Sequence, residues 1–395
     1  MLAPTKKNTQ LLYTLVQILY WMAFGLMFSF ASAYLQGKGF SNREIGLALG
    51  CSYGISTVLQ PSIASILQRM GIQPEKGLCA LYAIAVLLSA LLLWVPLPGL
   101  GVALLFTLIL SLYSALQPLV NSLAQRWSDA GCPVDFSTAR SAASLLFAGT
   151  IAGMGWLLGK IPAVSLPAFY LAVVSLSACL LFLLRPPSLP GQPLESPSIK
   201  DSKNKNRYPA GFPLLLAGII CLSLAHVLID NFMLQIMQSL GGGTENLGLA
   251  LSIAAFVEVP AIWLYGKLRR RLGDQALLVF AAWAWAFKTF LVFLAKSPTA
   301  IYAAEVLQFC SYAFYTPSIV CCVDRWFPPE SRLRGQSLVG SAYTLGCVLS
   351  AVLGGTLLDA LGVPATLLIL VGIACMGAAL VSAASWARKT HTANL

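Results

Sequence analysis

Residues 185–210 read RPPSLPGQPLESPSIKDSKNKNRYPA. Pro186, Pro187, Pro190, Pro193 and Pro197 exclude a helix interior, and the lysine- and asparagine-rich remainder has no apolar face to bury. The stretch reads as a mobile linker. On both sides of it the chain is almost uniformly apolar. Runs of about 20 residues, enough to cross a bilayer, fall at 11–34, 43–68, 77–96, 99–125, 136–159 and 163–184. A second set falls at 211–239, 246–266, 275–295, 298–326, 333–358 and 363–387. The expected fold is therefore an all-α integral membrane protein: twelve transmembrane helices in two six-helix halves, 1–184 and 211–395, joined by the linker. Strand-length alternation of the barrel type is absent.

Composition supports this reading. Hydrophobic residues make up 58% of the chain, charged residues 10%, and the mean hydropathy is +0.78. That is too little polar material to coat a soluble protein. The net charge of +11 is informative through its placement. Nineteen lysines and arginines lie on alternate connections, counted from Lys6 and Lys7 through Arg69, Arg126, the linker, Arg269–Arg271 and Arg325 to Arg388. The opposite connections carry only Lys38, Arg43, Lys160 and Lys296. The positive-inside rule then puts both termini in the cytoplasm, in a plasma or inner membrane. The basic residues would set orientation and touch anionic membrane lipid, and nucleic acid is not an expected partner. The run 11–34 is too long for the core of a signal peptide and reads as the first membrane helix. The ten cysteines show no metal-type spacing and read as small buried apolar residues.

The halves echo one another at an offset of roughly 200 residues. Gln68-Arg69-Met70-Gly71 ends the second span and Arg270-Arg271-Leu272-Gly273 ends the eighth. The fifth and eleventh spans are both rich in small residues suited to close helix packing. A parallel repeat of this kind places the solute path between the halves, near the midplane.

The charges absent from the loops carry the functional signal. Arg140, Asp230, Glu258, Lys288 and Glu305 are stranded within apolar spans. A lone charge at a helix centre costs roughly 2.5–3.5 kcal/mol on insertion scales, so five of them must share a polar interior. Two positive against three negative charges would be neutralised by one proton, the arithmetic of a proton-coupled carrier.

Several motifs resemble those of the major facilitator superfamily, more narrowly the group holding lactose permease and the phenylpropionate permease-like proteins. Gly37-Lys38-Gly39-Phe40-Ser41-Asn42-Arg43-Glu44-Ile45-Gly46 is similar to the group's first external turn. Asp135-Phe136-Ser137-Thr138-Ala139-Arg140 resembles the helix-five stretch whose arginine binds substrate. Glu258-Val259-Pro260 resembles a Glu-x-Pro pattern in helix eight, and Arg334-Gly335-Gln336-Ser337 the opening of helix eleven. Asp230 and Lys288 fall at the sugar permease's helix-seven aspartate and helix-nine arginine. There are departures. Asn121 stands where the sugar permease has a helix-four glutamate. Gln308-Phe309-Cys310-Ser311 replaces its His-x-x-Glu, and Glu305 stands in place of a lysine. The resemblance implies alternating-access transport with rearranged coupling residues.

The candidate substrate-binding residues are Arg140, Asn121, Phe147 and Glu258. The candidate proton-coupling residues are Glu258, Glu305, Asp230 and Lys288. Each has a plainer reading. Arg140, near the start of its helix, can snorkel to the interface rather than hold a carboxylate or paired hydroxyls. Phe147 can be ordinary packing. Glu258 can form a structural ion pair, Asp230 and Glu305 can serve as gate or pairing residues, and Lys288 can neutralise an acid rather than touch solute. His226, one turn before Asp230, can relay a proton or simply pack.

The expected function is proton-coupled import of a small polar or amphipathic solute, such as a sugar, oligosaccharide, nucleoside or aromatic carboxylate. The alternative is a proton-driven efflux antiporter. No His-Glu-x-x-His or Gly-x-Ser-x-Gly motif is present and the chain has only two histidines, so no enzyme is expected. Neither is a cofactor or metal, and a monomer is the default.

Overall fold

Leucine, alanine, phenylalanine and valine fill the spans on all faces, the pattern of a helix with apolar surroundings throughout. A computed structural model describes residues 6–183 and 208–393; the linker lies almost wholly outside the described residues. Every described element is helical. The helices are α1 (Lys6–Phe24), α2 (Ala31–Gly37), α3 (Asn42–Arg69), α4 (Pro74–Trp94), α5 (Gly99–Asp129), α6 (Phe136–Leu158) and α7 (Leu166–Leu183). They continue as α8 (Phe212–Asn231), α9 (Met233–Ser239), α10 (Thr244–Leu272), α11 (Asp274–Leu294), α12 (Pro298–Glu305), α13 (Tyr312–Trp326) and α14 (Arg332–Ala393).

The expected count of twelve spans is not reproduced by apolarity and length alone. Among the described residues nine helices qualify, or ten with the bent α10 taken as one span. Two causes are visible. A quarter of α3 is serine, threonine and glutamine, and α14 runs through two expected spans, broken at Gly362 (φ 75°, ψ 175°). Three spans read as continuous are interrupted. The first carries a π-helical segment, Gly25–Ser29, and a break at Phe30; the seventh breaks at Phe232. The tenth divides into α12, a 3₁₀ segment (Val306–Phe309) and α13.

Contacts divide the chain into two compact units, Met1–Phe40 with Cys51–Ser198 and Ser41–Gly50 with Ile199–Leu395. In the first, the Tyr20 and Tyr113 rings stack at 5.1 Å, and the Tyr113 hydroxyl donates to the Tyr20 carbonyl at 3.0 Å. Ser52 and Ser56 of α3 exchange hydrogen bonds with Thr107 and Ser111 of α5, the polar contacts that join helices where lipid offers no hydrophobic drive.

In the second unit α8 packs along α14. The first turn of α3 also belongs here. Ser41 and Glu44 cap each other reciprocally, while the Asn42 side chain and Arg43 amide both donate to Asp359 at 2.8 Å. Gly46 is required for this approach: a Cβ there would lie 2.2 Å from the Ala351 carbonyl oxygen.

The internal repeat is sharper than the sequence offset indicated. Glu75 and Asp274, Tyr113 and Tyr312, Pro118 and Pro317, Arg126 and Arg325, and Trp127 and Trp326 are each 199 positions apart. Each half uses its copy alike: Glu75 pairs with Arg126 at 3.4 Å, and Asp274 with Arg325 at 3.1 Å. The expectation of buried cysteines holds for Cys322 and Cys347; Cys51 and Cys179 are exposed on apolar outer faces.

Candidate functional site: two polar clusters in apolar helices

In the first unit Asp135 caps α6 through the Ser137 and Thr138 amides, and its own amide is tied to the Gln10 side chain at 2.7 Å. This fixes the start of α6 against α1. Arg140 follows within the first turn and a half. Its guanidinium lies 3.9 Å from the Trp21 ring and donates to Ser144 at 2.6 Å. Ser144 is one turn further into the helix, so the guanidinium leans along α6 away from the helix start.

Phe147 meets Trp21 edge-on at 6.2 Å, and its ring occupies the space that a side chain at Gly25 would take. Gln17, fully buried, donates to Tyr13 at 2.7 Å and to Asn121 at 3.2 Å. Arg140, Phe147 and Asn121 were predicted from sequence; Trp21 and Gln17 were not.

In the second unit the broken tenth span builds the cluster. Successive side chains eclipse at i and i+3 in a 3₁₀ turn, so Glu305 and Gln308 present their oxygens to one point. Lys288 of α11 occupies it, donating to Glu305 at 2.6 Å and to Gln308 at 2.8 Å. Gln308 passes the connection on, donating its amide to Glu258 at 3.0 Å. Lys288 and Glu305 are 1% and 0% exposed, so each depends on the other for its charge.

Asp230 does not join this chain directly. It pairs with His226 at 3.4 Å within α8, and the His226 ring packs against Trp285 and Tyr312. Gln308 is the link that sequence reasoning noted only as a departure.

The repeat provides an internal comparison. The counterparts of Lys288, Glu305 and Gln308, 199 positions earlier, are Ser89, Phe106 and Ile109, and the corresponding α5 is one unbroken 31-residue helix. The buried charges and the break in the tenth span occur together and are absent together from the corresponding positions of α4 and α5. No group of metal-binding side chains occurs among the described residues.

A bundle of apolar helices holding buried, paired charges is the architecture of a membrane transporter. The chain belongs to the MFS_1 like family, whose sequence model matches residues 11–369. It is a multi-pass major facilitator transporter and not an enzyme. It is 28% identical to the maltose permease of Geobacillus stearothermophilus over 366 residues, covering 88% of this chain and 87% of that protein. It is 26% identical to the probable 3-phenylpropionic acid transporter of Escherichia coli (strain K12) over 277 residues, 67% of this chain and 68% of that one. Crystal structures of the nucleoside transporter NupG share the fold. A point-mutant form superposes with a TM-score of 0.80 at 16% identity over 96% of this chain and 100% of NupG, and a second NupG structure with 0.77.

Proposed function

We propose that this transporter is a proton-coupled importer of a small solute carrying a flat ring and polar oxygens, working by alternating access in the inner membrane with both termini cytoplasmic. The observation that carries the reading is the hydrogen-bonded chain Glu258–Gln308–Lys288–Glu305, of which the last three are buried. It ties Glu258 through Gln308 to the Lys288–Glu305 pair, so a change in the charge of Glu258 is felt by that pair. Glu258, half-exposed at the end of the chain, is the acid that takes the proton; Glu305 is held by Lys288. Asp230, with His226, stands beside this chain as a second titratable pair.

In the other half Arg140 and Trp21 present a guanidinium and an indole together, with Phe147 at the edge. This combination suits the face of a sugar ring, nucleobase or aryl group together with its oxygens. Relatives whose names specify maltose and 3-phenylpropionic acid fit that description. The two six-helix halves, 1–184 and 211–395, thus carry different tasks, and the default assembly is a monomer.

The test is reconstitution in proteoliposomes with an internal pH dye and solutes added by class. Acidification of the lumen with inward flux of one class is expected. Opposite proton movement with outward flux would replace the importer by an antiporter, and solute flux without proton movement would remove the coupling role of the acids.

A further inference from the structure

α13 starts within an apolar span, just after the 3₁₀ segment Val306–Phe309. Ser311 (φ −90°, ψ −93°) turns the chain, and backbone pairing resumes only with the Tyr315 amide on the Ser311 carbonyl at 2.9 Å. The amides of Tyr312, Ala313 and Phe314 precede that bond and so have no intrahelical acceptor. They form the positive end of a 15-residue helix.

Two side chains around this turn are independently unmatched. The indole N–H of Trp285 (1% exposed) and the hydroxyl of Tyr315 (4% exposed) have no partner among the described residues. Helical side chains lean toward the helix N-terminus, so Tyr315 covers the opening turn. Trp285 meets Tyr315 edge-on at 4.9 Å and Tyr312 at 5.8 Å. Amides and an indole can only donate, and a buried phenol does so readily. Unmet donors gathered in one place call for an acceptor.

We propose that the opening turn of α13, with Trp285 and Tyr315, is a carboxylate site that takes the anionic end of the transported solute. The proposal rests on the importer reading and specifies its substrate class. Half-helix N-termini within a membrane serve acidic ligands in this manner. The charged groups connected to the turn are Glu258, Lys288 and Glu305 through Gln308, and Asp230 through His226, whose ring packs on Tyr312. Lys288 is already engaged, so an arriving carboxylate is accommodated with a proton on one of the acids. Solute and proton then arrive as a neutral pair.

The experiment measures binding of 3-phenylpropanoate, benzoate and neutral 3-phenylpropanamide to the purified full-length transporter, in the wild type and in Trp285→Phe, Tyr315→Phe and Arg140→Lys. Either phenylalanine keeps the ring packing and deletes a donor. Each should weaken carboxylate binding about tenfold or more while changing amide binding less than threefold. Equal losses for carboxylate and amide would show a packing role and overturn the site. So would a carboxylate preference abolished by Arg140→Lys but untouched by both phenylalanines, or failure of every carboxylate to bind the wild type. Proton movement is recorded in parallel: carboxylate binding and flux without proton uptake would sink the coupling reading and leave the anion site standing.

Discussion

Gln308 holds its amide orientation from both sides, accepting from Lys288 at 2.8 Å and donating to Glu258 at 3.0 Å. It therefore reports the charge of each neighbour to the other. A carboxylate on Glu258 is a better acceptor for the amide than a carboxylic acid. Protonation loosens this link and leaves the Lys288–Glu305 pair intact.

Glu258→Gln should abolish proton-driven accumulation while retaining solute exchange at zero proton gradient at a substantial fraction of the wild-type rate. Gln308→Leu should weaken accumulation without preventing it. Counterflow and uphill uptake in the same vesicles check both, and loss of exchange along with accumulation in Glu258→Gln would place that residue in binding alone.

Stability separates the buried pair from the solvated ones. Lys288→Met leaves Glu305 buried and unpaired, with an expected cost of roughly 3–5 kcal/mol. Lys288→Met combined with Glu305→Met removes both charges and should recover most of that loss. Thermal melts in detergent read the difference, and additive losses in the double variant would contradict the pairing.

Arg140 is held by a ring and a hydroxyl, a geometry that a lysine cannot reproduce. Arg140→Lys should raise the KM for transport by tenfold or more. Trp21→Leu should raise it by a smaller factor, in line with a cation–π contact of about 1–2 kcal/mol. Initial-rate uptake over a range of solute concentrations measures both. An unchanged KM in Trp21→Leu would make the stacking incidental.

A further test uses the repeat. Asp274 is 1% exposed and holds Arg269 at 2.6 Å, Arg325 at 3.1 Å and the Tyr265 hydroxyl at 3.2 Å. Its counterpart Glu75 receives Arg126 at 3.4 Å and the Trp127 indole at 3.2 Å. Asp274→Asn should lower the melting temperature more than Glu75→Gln, because more donors lose a charged acceptor; the first change should cost about 1–3 kcal/mol.

What the sequence disclosed followed the energetic cost of misplacement. Lys288, Glu258 and Glu305 were conspicuous because an ionised group in an apolar span is expensive, and the structure brings these three into one cluster. Asp230 was equally conspicuous, and its partner, one turn away in the sequence, is His226. Gln308 was marked only as a departure from the family pattern, and Trp21 and Gln17 left no mark. Neutral amides and aromatic rings are common in membrane helices and carry little insertion penalty. The breaks at Phe30, Phe232 and Ser311 were hidden for a related reason. Hydropathy records that 298–326 is apolar, but it does not record which carbonyls accept from which amides. A proline would have been a signal, yet Pro317 lies past the break, and its counterpart Pro118 sits in an unbroken helix.

The Lys288–Glu305 contact also bears on how the protein is made. The two residues are 17 positions apart, on consecutive segments of a nascent chain. A segment bearing the lysine alone would partition poorly from the translocation channel into lipid, and so would a segment bearing the glutamate alone. Delivered together as a hairpin, they leave the channel already neutralised. Pairing thus favours entry of the ninth and tenth spans as one piece, sparing each the roughly 2.5–3.5 kcal/mol that a lone charge costs.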